Sequence, residues 1–132
     1  MNRVPGEIEQ VRVHGQLSLV TVRAQTQKLS AIVIDTPNTC AYLNKGHMIN
    51  AIFKETEVII GQGHQHQVSL QNQFKGQIQS MEASELLSKL IISTEIGNIT
   101  SIITTRAVQS LQLQVGSEVT AMIKTNEVML SE

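Results

Sequence analysis

The sequence predicts an all-β fold: two tandem OB-like five-stranded barrels, each with one short helical turn. The first observation is an internal repeat at a constant offset of 70 residues, with no gap. The matched pairs include Gly46 and Gly116, Ala51 and Ala121, Lys54 and Lys124, Glu57 and Glu127, and Val58 and Val128. Such a period is that of a small domain, too long for a solenoid unit. The second observation is a series of short alternating strands, which a closed barrel can join without leaving edges exposed.

The first copy contains five candidate strands in chain order. The expected strands are 7–13, 16–23, 29–34, 48–53 and 57–60. The first two alternate apolar and polar residues, as half-buried strands do, and His14-Gly15 is a plausible hairpin turn between them. The segment 36–43 contains Pro37 and several polar residues, so it fits either a turn or one short helical segment.

The second copy repeats this order. The expected strands are 75–81, 87–94, 99–104, 118–124 and 127–130. The spacing of apolar residues over 105–113 suits one or two helical turns, with Thr104 or Thr105 as the N-cap. The segment 81–90, MEASELLSKL, favours helix by composition. The repeat aligns it with the first hairpin, and a gap-free repeat fixes the register of the whole module. We therefore expect a strand or hairpin there.

The repeat divides the chain into a first module over 1–61, a connector over 62–71 that begins the second module, and a second module over 72–132. Segment 61–71, GQGHQHQVSLQ, is polar and glycine-containing, as connectors are. A unit of about 60 residues buries little surface and is marginally stable alone. The two copies are therefore expected to pack on each other or on other subunits.

Composition excludes several classes of function. The chain has 10 basic and 11 acidic residues and only 2% aromatic residues. Nucleic-acid surfaces need clustered positive charge and often stacking rings, so we expect no nucleic-acid binding by this chain. The apolar runs are too short to span a membrane, the N-terminus has no signal-peptide core, and Cys40 is the only cysteine. These features favour the cytoplasm.

No catalytic or metal-binding constellation is visible. The chain lacks a P-loop, a G-x-S-x-G elbow and an H-E-x-x-H helix, so we predict that it is not an enzyme. His64 and His66 could together bind a divalent cation. No third ligand lies near them in sequence, so a solvated connector is the better interpretation and no metal site is predicted.

The tails of the two copies suggest anion binding. Lys54 and Lys124 leave an aliphatic strand at the same position of each copy. A single lysine there would usually be solvated, but the repeat raises the alternative of an ammonium group that meets an anion. Hydroxyl and amide side chains gather before and within the second copy at Ser69, Asn72 and Thr104.

The second copy resembles a Mop module, a molybdate-binding relative of the TOBE domain. The resemblance covers Ser69 to Leu130 through the patterns S-x-x-N-Q-F-K-G, I-I-T-x-x-A-V-x-x-L-x-L-x-x-G and V-x-A-M-I-K-x-x-E-V-M-L. The first copy matches mainly through its tail, KGHMINAIFKETEVII. The resemblance implies a di-Mop protein with OB-like barrels and molybdate or tungstate as bound ligand at interfaces between modules. It also implies a homo-oligomer, as a dimer, trimer or hexamer.

The ligand residues of the family carry over unevenly. In the opening motif S-A-R-N, Ser69 and Asn72 match, but Gln71 replaces the arginine. Thr104 matches the threonine after the third strand, whereas Ala107 replaces the serine that follows it. Arg106 could restore the lost charge or lie solvated.

The tail lysine of the family is Lys124, followed by Thr125. In the first copy the tail lysine is Lys54, but Ile34 and Pro37 occupy the hydroxyl positions. The first copy is therefore expected to be poorer in ligands than the second.

These residues predict reversible binding of molybdate or tungstate in the cytosol, for storage, homeostasis or sensing. The candidate oxyanion-binding residues are Ser69, Gln71, Asn72, Thr104, Lys124, Thr125 and Lys54. The alternative is a Mop-like fold that has lost its ligand and serves as an assembly or regulatory module. Related modules are also fused to regulators and transporter ATPases, so the chain could be complete or a fragment.

Overall fold

Ten strands form two five-stranded antiparallel sheets in the computed structural model, which describes all residues from Met1 to Glu132. The predicted all-β architecture of two five-stranded units is confirmed. The strands are β1 (Asn2–His14), β2 (Leu17–Ala24), β3 (Gln27–Val33), β4 (Met48–Phe53), β5 (Ile59–Gln62), β6 (Asn72–Ala83), β7 (Leu87–Thr94), β8 (Gly97–Thr104), β9 (Glu118–Ile123) and β10 (Met129–Ser131). The one α-helix, α1, spans Thr105–Ser110, far too short to cross a bilayer.

The two copies exchange their final strands. The first sheet has the order β10-β4-β1-β2-β3, and the second has the order β5-β9-β6-β7-β8. Leu130 of the second copy pairs with Ala51, and Ile60 of the first copy pairs with Ala121. The module boundaries expected at residues 61 and 72 therefore mark the repeat in the sequence. They do not separate the two sheets, because each sheet takes its fifth strand from the other copy.

A short 3-10 turn between the fourth and fifth strands explains the exchange. These turns span Glu55–Glu57 and Thr125–Glu127 and were not predicted. Lys54 and Val58, which flank the first turn, both have extended backbone angles. The chain therefore continues into the neighbouring sheet and does not fold back on the strand that it has just left.

The helical element differs between the copies. The second copy forms α1 within the predicted range, and Val108 on this helix is buried. The first copy forms turns over the equivalent segment, because Pro37 and the exposed Asn38 replace Ala107 and Val108. The helix-favouring segment 81–90 forms the end of β6, a tight turn and the start of β7, so strand pairing overrides its propensity as expected.

One hydrophobic core joins the two modules. A cluster of 20 buried residues includes Phe53 and Val58 from the first copy together with Phe74 and Ile123 from the second. A separate cluster of five residues, which includes Ile8 and Leu43, lies in the first module. Because most of the buried apolar side chains form one cluster, we expect the modules to unfold together.

Two repeated glycines lie where neighbouring strands approach closely. A Cβ atom on Gly6 would lie 2.7 Å from the Arg23 carbonyl oxygen, and one on Gly76 would lie 2.7 Å from Ile92 Cγ2 and against the Ser93 carbonyl oxygen. Each glycine precedes the register shift in its long first strand. The repeat therefore keeps glycine where the strand bends and no side chain fits.

Candidate functional site

The start of β6 and the end of β9 bring most of the predicted ligand residues to one place. Asn72 pairs with Ile123, so Lys124 and Thr125 lie beside the residues that lead into β6. We call this group the second corner and define it as Ser69, Gln71, Asn72, Lys124 and Thr125. The first corner is its repeat equivalent, made of Met1, Asn2, Lys54 and Glu55.

Asn72 fixes the second corner to the first copy. Its side chain is buried, its Nδ2 donates to the Ser30 carbonyl oxygen at 2.8 Å, and its Oδ1 accepts from the Ser30 amide at 2.8 Å. Asn2 makes the same pair of bonds, both at 2.8 Å, with Thr100 of the second copy. These asparagines are therefore interface clamps whose amide groups already have protein partners.

The other four side chains of the second corner have no partner within the chain. Ser69, Gln71 and Lys124 are exposed, Thr125 is half-buried, and none of the four side chains makes a hydrogen bond or ion pair. The 3-10 turn that begins after Lys124 is closed by the Glu127 amide, which donates to the Lys124 carbonyl oxygen at 3.0 Å. An ammonium, two hydroxyls and an amide are therefore available to a ligand that accepts hydrogen bonds.

Thr104 lies elsewhere in the chain. It pairs with Leu87, next to the Ala83 end of β6, whereas Asn72 begins that strand. Its Oγ1 accepts from the Ala107 amide at 3.1 Å, which confirms the predicted N-cap of α1. The hydroxyl hydrogen has no acceptor in the chain, so Thr104 can still donate to a ligand.

The first corner contains an acid that sequence reasoning missed. The Glu55 carboxylate lies 2.6 Å from the Met1 ammonium group. This bond, and then a bond to the Glu55 backbone, lowers the pKa of the Glu55 carboxyl group. The repeat could have identified this acid, because it aligns Glu55 with Thr125.

The two connector histidines differ in exposure. His66 is half-buried, and its Nε2 lies 3.4 Å from the Gly63 carbonyl oxygen, whereas His64 is exposed. No group of three His, Cys, Asp or Glu side chains is placed to hold a metal ion. The connector is instead fixed by Gln73, whose side chain donates to the Leu70 carbonyl oxygen at 2.7 Å.

Tyr42, the only tyrosine, gives a testable pH response. A hydrogen bond with the Cys40 side chain, followed by burial and nearby negative charge, raises the pKa of Tyr42 to about 12. Folding thus favours the neutral phenol, and this stabilisation is complete below pH 10.0 and is lost as the pH rises toward 12. Titration followed by phenolate absorbance should show this raised pKa, and Cys40→Ala should lower it. Titration of the folded wild type with the ordinary pKa of tyrosine would contradict the assignment.

Comparison with known proteins shows similarity to proteins whose names refer to molybdenum or molybdate. The TOBE domain model matches residues 69–130. Molybdenum-pterin-binding proteins 1 and 2 of Clostridium pasteurianum are 34% and 33% identical over 64 residues, which cover 48% of this chain and 94% of each relative. The molybdate-bound structure of the cytoplasmic molybdate-binding protein ModG superposes with a TM-score of 0.91 at 23% identity, covering 98% of this chain and 94% of ModG.

Proposed function

Because the chain belongs to the Mop/TOBE family, we propose that it binds molybdate, or the similar tungstate, reversibly at its second corner. Its relatives carry the names molybdenum-pterin-binding protein and molybdate-binding protein. The role would be storage, homeostasis or sensing in the cytoplasm, and it requires binding without a chemical step. The observation that carries this proposal is the set of four donor side chains without internal partners, held in place by the Asn72 clamp.

The chemistry of the second corner suits a tetrahedral dianion. An oxyanion that leaves water needs both compensating charge and hydrogen-bond donors. The Lys124 ammonium supplies the charge, and Ser69 and Thr125 donate from hydroxyls. Gln71 stands at the arginine position of the family and donates from a neutral amide. A charge-assisted bond is roughly twice as strong as a neutral one, so Lys124 is the dominant ligand.

Thr104 joins this site from a neighbouring chain. Strand register keeps Thr104 away from the second corner of its own chain, yet its hydroxyl is free to donate. Arg106, exposed two residues later on α1, would bring a second positive charge with it. A site shared in this way makes the protein a homo-oligomer whose assembly is stabilised by the anion, because ligand that binds the assembled form favours it.

Titration calorimetry with molybdate, tungstate and sulfate tests the proposal. We expect heat with molybdate and tungstate, and one anion for each chain. Native mass spectrometry with and without molybdate should show the bound anion on an oligomer. No heat and no thermal shift with any of the three anions would reject the proposal. That result would favour a Mop-like assembly module without ligand, which Gln71 and Ala107 also suggest.

Mixing two inactive variants tests whether the site is shared. Lys124→Ala and Thr104→Val are each expected to abolish most molybdate binding when present in every chain. After unfolding and joint refolding, some sites combine an intact Lys124 with an intact Thr104 of another chain, and these should bind. Refolding each variant alone is the control. No recovery in the mixture would contradict a site shared between chains, and undiminished binding by Thr104→Val alone would place Thr104 outside the site.

A further inference from the structure

We propose that Glu55 closes the first corner to oxyanions, so that each chain binds anion at Lys124 and not at Lys54. This inference rests on the proposed function and sharpens it, because it assigns different roles to two repeated lysines. It also turns the predicted ligand Lys54 into a residue of a corner that excludes the ligand.

The two corners match in their backbone and in their clamps. Lys54 and Lys124 both precede a 3-10 turn and have closely similar backbone angles, −74° and 146° for Lys54 and −67° and 140° for Lys124. Asn2 and Asn72 hold the corners to the opposite copy through equal pairs of hydrogen bonds. Glu57 and Glu127 recur at the ends of the two turns. Because these features are the same in both corners, they cannot explain why only one corner would bind an anion.

The residue after the lysine differs, and its chemistry opposes binding in the first corner. Thr125 offers a hydroxyl that can donate to an anion oxygen. Glu55 offers a carboxylate, which only accepts hydrogen bonds and repels a dianion. The Met1 ammonium, which could otherwise attract an anion, is paired with this carboxylate at 2.6 Å.

The strands packed against the two corners do not explain the difference between them. The turn at Glu55–Glu57 contacts β8, which ends at Thr104, whereas the turn at Thr125–Glu127 contacts β3. The strand that carries Thr104 therefore lies against the first corner, and removal of the Glu55 carboxylate is the one change expected to open this corner.

Transplanting the second-corner residue into the first corner gives one test. The variant Glu55→Thr should bind two molybdate ions for each chain in calorimetry and native mass spectrometry, where the wild type binds one. The matched control Glu57→Thr keeps Glu55 and should still bind one. Adding Lys54→Ala to Glu55→Thr should remove the gained ion. A stoichiometry that stays at one in folded Glu55→Thr would contradict the inference.

The reverse change gives a second test within the native site. Thr125→Glu should abolish binding, whereas Thr125→Val, which only removes the hydroxyl, should weaken it. In the wild type, Lys54→Ala should leave the number of bound ions unchanged. Retained binding in Thr125→Glu, or a lost ion in Lys54→Ala, would overturn the role of Glu55. A wild type that binds no anion would reject the proposed function itself, which is a separate outcome.

Discussion

Replacing Lys124 with alanine is expected to weaken molybdate binding about 100-fold, because a hydrogen bond from a charged donor contributes up to about 3 kcal/mol and each tenfold in affinity is about 1.4 kcal/mol. Lys124 is exposed and makes no ion pair within the chain, so its loss should leave folding unchanged. Calorimetric titration with molybdate at constant ionic strength measures the effect directly.

The control for this variant is Lys45→Ala. Lys45 is also exposed, but it lies in the turn before β4, outside both corners. Its removal changes the net charge by the same amount and should leave the affinity unchanged. Equal losses of affinity in the two variants would show that the effect comes from net charge, and an unaffected Lys124→Ala would remove Lys124 from the site.

Replacing Gly76 with alanine is expected to destabilise the whole chain, not only the second module. The new Cβ atom would lie 2.7 Å from Ile92 Cγ2 and against the Ser93 carbonyl oxygen, so a strand must shift. Overpacking of this kind costs up to about 3 kcal/mol, or roughly 10 °C in melting temperature for a chain of this size. Because β5 and β10 are exchanged and the main core is shared, the first module should unfold at the same lowered temperature.

Tyr42 makes this coupling measurable. It is the only tyrosine, and its hydroxyl donates to the Leu130 carbonyl oxygen of β10 at 3.4 Å, so its absorbance reports on the first sheet, while far-UV circular dichroism reports on all strands. The two signals should give coincident transitions in Gly76→Ala. The exposed neighbour Gln77, replaced by alanine, serves as the control and should change stability by less than about 0.5 kcal/mol. A Tyr42 transition that stays at the wild-type temperature would contradict a shared core.

The sequence predicted the strands well, but it could not predict the strand exchange. The run of apolar residues Val128, Met129 and Leu130 favours a strand, but this signal is the same whichever sheet receives the strand. The two copies present similar partners, because Ala51 and Ala121 occupy equivalent positions. The extended path of the chain through the 3-10 turn determines which sheet the final strand of each copy joins. Short 3-10 turns carry little sequence signal, so this path was not predictable.

The candidate site was predictable to the extent that the repeat and the family motif coincide. Lys124 and Thr125 follow from both, and strand register places them beside the segment that leads into β6. Asn72 belongs to the same motif, yet its amide is committed to Ser30, a contact between copies that no local pattern encodes. Thr104 was placed by the motif on the correct strand end, but sequence spacing could not show that strand register separates it from Lys124.

Crystals grown with tungstate test the proposed site most directly, because tungsten scatters anomalously and its position can be located without model bias. We predict one anomalous peak for each chain, within hydrogen-bonding distance of Lys124 Nζ and of a Thr104 hydroxyl from a neighbouring chain, and no peak beside Lys54. A peak at the Lys54 corner, or none near Lys124 at saturating tungstate, would contradict the proposal.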